Sequence, residues 1–273
     1  AIDPNDPSRI YLGMADIGFF WSVDGGQSVN QSYHGQVDSV AVDGSTNPST
    51  VYFSRTGHVH KSTDGCASFS SSSVNLPNKA IKDLHVCSIQ PQRLFAMVAD
   101  TGLYISENVG LTWSLQNNDP AIINGRLTVD RHFGNTMYVV SSGGVYKSTD
   151  RGLSFSARNN QLMKVGSSYK LSKLEIDAVN EEVLYIGSDV YGVYRSNNGG
   201  DTWEQKAVGF NVTAITTTST STIYAAAANY WYNGNPGALL KTNDAFETVE
   251  MVDNLAPDLI SMGSIRAIAV DPQ

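Results

Sequence analysis

An eight-residue phrase is written six times along this chain: Ser22–Val29 (SVDGGQSV), Ser62–Phe69 (STDGCASF), Ser106–Trp113 (SENVGLTW), Ser148–Phe155 (STDRGLSF), Ser196–Trp203 (SNNGGDTW) and Thr242–Val249 (TNDAFETV). Their starts lie 40, 44, 42, 48 and 46 residues apart. A period of that length means one supersecondary unit copied in series, each copy stabilised by stacking on its neighbours. Within the phrase, the first hydroxyl and the third-position carboxylate or amide can bond nearby backbone N–H groups and hold a tight turn. Asp24, Asp64, Asn108, Asp150, Asn198 and Asp244 occupy that third position, where the turn itself gives them a structural role. Glycine at the fifth position suits a positive φ that a side chain resists. The hydroxyl and aromatic at positions seven and eight open the next strand, with the ring packing into a core. Three copies depart from the pattern: Cys66 and Phe246 stand where glycine is expected, and Val29 where the aromatic is expected.

Each repeat carries four strand signals and no helical one. An apolar segment ending in Asp or a small polar residue comes first, as in Ser39–Asp43, Asp83–Cys87, Arg126–Asp130, Lys173–Asp177 and Val212–Thr216. A second segment follows, centred on Tyr11, Tyr52, Phe95, Tyr138, Tyr185 or Tyr224. A third runs into the octamer, and the octamer turns the chain into a fourth. Short β-branched and aromatic runs separated by turn clusters predict strands. Four-stranded antiparallel units of this length predict an all-β chain, a β-propeller whose blades cover roughly 1–36, 37–80, 81–124, 125–170, 171–209 and 210–263. The first strand of each is expected to be buried on both faces and the fourth to be the exposed edge. The segment 264–273 repeats the first-strand element of residues 1–4, so it either closes a six-bladed ring or begins a seventh blade.

Composition narrows the partners. The formal net charge is −8 with 18 Lys plus Arg, which argues against a nucleic acid or an anionic membrane surface. No apolar run approaches the ~20 residues of a membrane span. Two cysteines make no disulfide framework, and the repeat sets Cys66 and Cys87 at different radii. The five histidines offer only the His58-x-His60 pair with no third ligand, so no metal or other cofactor is expected. Asn30-Gln31-Ser32 and Asn211-Val212-Thr213 are glycosylation sequons if the chain is secreted by a eukaryote.

The octamer resembles the Asp-box (BNR) repeat of sialidase-like and related β-propellers. That resemblance implies an extracellular or cell-surface protein. The arginines are scattered without an evident triad, which argues against sialidase chemistry. Counting back from each octamer exposes the turns between second and third strands, where Asp16, Asp100 and Asp189 recur on one face. The stretch Tyr11-Leu12-Gly13-Met14-Ala15-Asp16-Ile17-Gly18, running on to Gly26, resembles the start of family 74 glycoside hydrolases, the xyloglucanases. Those enzymes pair two propellers, and the resemblance implies that Asp16 is one of two catalytic carboxylates. Phe19 replaces the family's second glycine, and no counterpart of the partner acid is found. Asp100 or Asp189 could supply it, since inverting glycosidases need two carboxyls roughly 6.5–9.5 Å apart. Equally, Asp can simply be the residue this turn prefers. The sixth turn is a long insertion in which Tyr230, Trp231, Tyr232 and Asn233 offer either a platform for sugar rings or a plug between blades. Two functions remain open. One is a secreted propeller that binds or processes a poly- or oligosaccharide. The other is a non-catalytic module that binds another propeller or a surface protein.

Overall fold

A computed structural model of the chain describes residues 1–14, 16–71, 73–207, 211–219, 221–230, 235–252 and 268–270, without the side chains of 228–230 and 235–237. Every regular element among the described residues is a strand. By Cα packing the chain divides into two compact units, Ala1–Met137 with Ser148–Ser154, and Tyr138–Lys147 with Phe155 onward.

The first sheet holds β1 (Ile10–Met14), β2 (Gly18–Ser22) and β3 (Asn30–His34). Ile2 bridges antiparallel to Ile10, so Ala1–Asp3 takes the inner position beside β1. The second sheet holds β4 (Val37–Asp43), β5 (Thr50–Arg55), β6 (His58–Ser62) and β7 (Ser70–Ser71). The third holds β8 (Ile81–Val86), β9 (Leu94–Val98), β10 (Gly102–Ser106) and β11 (Ser114–Asn117). The fourth is β12 (Arg126–Val129), β13 (Met137–Ser141), β14 (Gly144–Ser148) and β15 (Ser156–Ala157). The fifth is β16 (Leu171–Ile176), β17 (Leu184–Ser188), β18 (Gly192–Ser196) and β19 (Glu204–Gln205). The sixth is β20 (Asn211–Thr217), β21 (Ile223–Tyr230), β22 (Asn235–Thr242) and β23 (Glu250–Met251). Strands follow chain order within each sheet, and the paired strands are antiparallel meanders. Most of the segment expected to close the ring or begin a seventh blade, including 264–267 and 271–273, lies outside the described residues.

Burial differs from the expectation in one respect. In the second to fifth sheets the second strand, not the first, is the more enclosed: β9 and β17 are buried at every position, while β16 is mostly half-exposed; β1, the second strand of the first repeat, is mostly exposed. The second strand has a hydrogen-bonded neighbour on each edge as well as sheets packed on its faces, whereas the first has one edge partner. The two-residue outer strands β7, β15 and β23 are fully exposed, as an edge strand should be.

The octamer holds together through one repeated hydrogen-bond set. In each copy the first-position hydroxyl accepts the N–H of position five: Gly26, Cys66, Gly110, Gly152, Gly200 and Phe246, at 2.8–3.1 Å. The same hydroxyl donates to the third-position side chain, from Ser22 to Asp24 through to Thr242 to Asp244. That side chain in turn accepts the N–H of position seven. Where position three is Asp, the position-seven hydroxyl also donates to it; where it is Asn108 or Asn198, the amide donates to Thr112 or Thr202 instead. Positions four and five both take positive φ, so the turn survives substitutions that glycine counting alone flags as degenerate. Cys66 stands at φ 73 and Phe246 at φ 70. Cys66 and Cys87 are both free and buried.

Two results are expected from this turn. The Ser196 hydroxyl is buried and bonds two backbone N–H groups and the Asn198 side chain. Ser196→Ala should therefore destabilise by about 1–3 kcal/mol in urea unfolding, since it strands buried donors. The second concerns acid. Hydrogen bonds from Ser28, Ser68 and Thr248 hold Asp24, Asp64 and Asp244 down to about 2 from the usual 3.8. A carboxylate depressed in the folded state stabilises above its unfolded pKa, and that contribution disappears as pH falls through the folded value. The thermal midpoint should fall between about pH 4 and pH 2. The triple variant Asp24→Asn, Asp64→Asn, Asp244→Asn should show a shallower fall across that window, because Asn108 and Asn198 already close the same turn without titrating.

Candidate functional site

The ends of the sheets opposite the octamers carry the turns between second and third strands. The β1–β2 turn places Asp16 on the surface, beside exposed Leu12, Met14 and Ile17. Its corner is held from the neighbouring segment. The Ile17 carbonyl accepts Gln31 Nε2 at 2.9 Å and the Gly35 N–H at 3.3 Å, and the His34 carbonyl accepts Arg55 Nε at 2.9 Å. Arg55, at the end of β5, lies over the Tyr33 ring, 5.7 Å from its centroid. Among the described residues the Asp16 carboxylate accepts no hydrogen bond. An exposed carboxylate on a braced turn with a rim of apolar side chains can accept hydrogen bonds from hydroxyl groups and exchange a proton with them.

Asp100, in the β9–β10 turn, is differently placed. Its Oδ1 accepts Asn124 Nδ2 at 3.0 Å, its N–H donates to Asn124 Oδ1 at 3.1 Å, and Lys79 Nζ stands 3.3 Å from Oδ2. The Asn124 hydrogen bond, followed by Lys79, keeps its carboxyl below the usual carboxylate range. This carboxylate ties the β9–β10 turn to the segments that precede and follow its own sheet. Asp16 and Asp100 belong to the first and third sheets of one unit, with β4–β7 between them in sequence. Asp189, exposed in the β17–β18 turn, belongs to the other unit; its N–H donates to the Lys170 carbonyl. Tyr230 ends β21 and pairs in register with Asn235, whereas Trp231, Tyr232 and Asn233 lie outside the described residues.

The sequence singled out Asp16 but not its neighbours. Gln31, from β3, and Arg55, from the end of β5, reach the corner through tertiary hydrogen bonds. The His58-x-His60 pair resolves into a structural role for His60. Its ring stacks on Phe53 with centroids 4.8 Å apart, and burial, then Arg55, brings it down to about 4, so it stays neutral.

No protein-family profile matches the chain. A probable oligoxyloglucan-reducing end-specific xyloglucanase of Neosartorya fischeri is 25% identical over 198 residues, 70% of this chain and 24% of that protein. The GH74 xyloglucanase of Xanthomonas campestris superposes with a TM-score of 0.73 at 14% identity, over 92% of this chain and 44% of that one. YCF48 solved with a bound D1 peptide superposes with a TM-score of 0.69 at 14% identity, over 90% of this chain and 79% of that one. The chain thus spans about a quarter of the curated relative and under half of the Xanthomonas enzyme. The likeness shows an all-β, propeller-type fold of antiparallel blades.

Proposed function

We propose that this chain is a secreted carbohydrate-binding propeller of xyloglucanase-like ancestry, with Asp16 as one half of an acid pair whose other half comes from outside the chain. The observation that carries this reading is the Asp16 corner: a carboxylate exposed and uncommitted among the described residues, on a turn with exposed Leu12, Met14 and Ile17 that Gln31 braces at the Ile17 carbonyl. Asp100, already engaged by Asn124 and Lys79, is less suited to be the partner acid. The octamers, read as Asp-box turns, serve the scaffold. Tyr230, Trp231, Tyr232 and Asn233 extend the site as a stacking platform with amide hydrogen bonds for sugar rings.

The test is a pair of assays on xyloglucan oligosaccharides. The chain alone should bind them and release no reducing ends above a protein-free blank. Asp16→Ala should weaken binding about tenfold, the scale of one charge-assisted hydrogen bond. Unchanged binding in that variant would remove Asp16 from the site, and hydrolysis by the chain alone that vanishes in Asp16→Asn would contradict the half-pair.

A second reading, a non-catalytic assembly module that docks a protein segment, is supported by the Asp100 geometry and by a like fold in a propeller solved with a peptide. It predicts no glycan binding at all.

A further inference from the structure

The loop between β16 and β17, the loop between β20 and β21 and the sixth octamer enclose a cavity of about 270 Å3 in the second unit. The preceding pair of sheets shows why a gap is left there. Between the fourth and fifth sheets the Tyr138 hydroxyl donates to the Gly199 carbonyl at 3.2 Å, tying the second strand to the next octamer. Tyr185 and Ala245 are the counterparts of these residues one repeat on. The Tyr185 hydroxyl is bonded instead by Arg195, whose guanidinium lies over the Tyr185 ring, 6.0 Å from its centroid. Tyr185 and Ala245 both line the open space, with no hydrogen bond between them.

The lining is amphipathic. Val179, Val183 and Ala245 supply apolar surface. Among the described residues, four polar side chains of the lining keep a hydrogen-bonding atom uncommitted. Asp177 Oδ1 accepts the Val179 and Asn180 N–H groups at 2.9 and 3.1 Å, which leaves Oδ2. Asn180 Oδ1 accepts the Glu182 N–H at 3.1 Å and Asn243 Oδ1 accepts the Thr222 hydroxyl at 2.8 Å, which leaves both Nδ2 groups. The Ser221 hydroxyl can donate or accept. Asp244 is committed to the octamer, where Thr242 and Thr248 occupy its two oxygens. One free carboxylate oxygen thus stands against one guanidinium, so a ligand carrying net charge of either sign meets its own sign.

We propose that this cavity binds one neutral cyclic polyol, a single sugar ring in size. Ring hydroxyls donate to Asp177 Oδ2 and accept from Asn180 Nδ2 and Asn243 Nδ2, Ser221 bonds in either sense, and the C–H face lies on Val179 and Ala245. Each hydroxyl both donates and accepts, so a carboxylate oxygen and amide N–H groups around one ring satisfy both roles. The volume is below the ~300–1,000 Å3 of sites for drug-sized ligands, which suits one ring rather than a chain. The site uses none of the residues of the Asp16 turn and does not rest on the function proposed for it.

The probes are D-glucose, D-galactose and D-mannose, each with its uronate and its 2-amino derivative, titrated calorimetrically into the whole chain. At least one neutral sugar should saturate, and its two charged derivatives should bind about tenfold more weakly or worse. Asp177→Asn keeps Oδ1 for the two N–H groups and turns the free acceptor into a donor. It should raise the Kd of that sugar about tenfold, as loss of one hydrogen bond to a charged group. Asn243→Ala, at an exposed position, should raise it about threefold and keeps the test open should Asp177→Asn not fold. Absence of saturable binding by all three neutral sugars, a charged derivative binding as tightly as its parent, or unchanged affinity in either variant that is folded by circular dichroism would overturn the proposal.

Discussion

Gly102→Ala is expected to lower the thermal midpoint by about 10 °C, from a cost on the order of 3–5 kcal/mol. Gly102 opens β10 at φ 120, a conformation in which a side chain is strained before any contact is considered. Contact makes it worse. A Cβ there would sit 2.2 Å from the Asn117 carbonyl oxygen, which is backbone of the outer strand and cannot rotate away. Relief would require β10 and β11 to part where Leu103 pairs with Asn117. Gly25→Ala is the control: it shares a positive φ of 70 but has nothing within 4 Å of the added Cβ. Its cost should be about 1–2 kcal/mol, the price of the left-handed backbone alone. Equal effects in the two variants would show that the clash does not matter.

Trp203→Ala should cost about 3–5 kcal/mol, the range for emptying a large aromatic site in a core. The ring is 2% exposed and packs with Tyr138, Leu174, Leu184 and Tyr194, joining the fourth sheet to the fifth. Its Nε1–H donates to the Arg158 carbonyl at 2.8 Å. Removal therefore opens a cavity and strands an acceptor in the same place. Trp203→Phe keeps most of the apolar contact and should cost clearly less, with about 1 kcal/mol attributable to the lost hydrogen bond. Urea unfolding of the two variants separates packing from hydrogen bonding.

The repeat made the scaffold legible because the octamer's chemistry is local. Ser, Asp and the position-seven hydroxyl bond one another within seven residues, so their spacing alone specifies the turn. Conformational preference was less legible. The phrase marked glycine at position five, yet Val109, Arg151 and Ala245 show that position four is also left-handed, at φ 54, 66 and 58. Hydrogen bonds from both ends of the turn impose that backbone whatever the side chain. Burial of the first strand was misjudged because apolar composition does not reveal how many strand edges are covered. The candidate site was legible only at Asp16. Arg55 and Gln31 reach its corner through tertiary hydrogen bonds that leave no mark in local sequence.

The most direct measurement of the carbohydrate-binding account is affinity electrophoresis of the native chain through gels cast with and without xyloglucan. Retardation that grows with polysaccharide concentration and is reduced in Asp16→Ala is the predicted result. Identical mobility of the folded chain in both gels would contradict it.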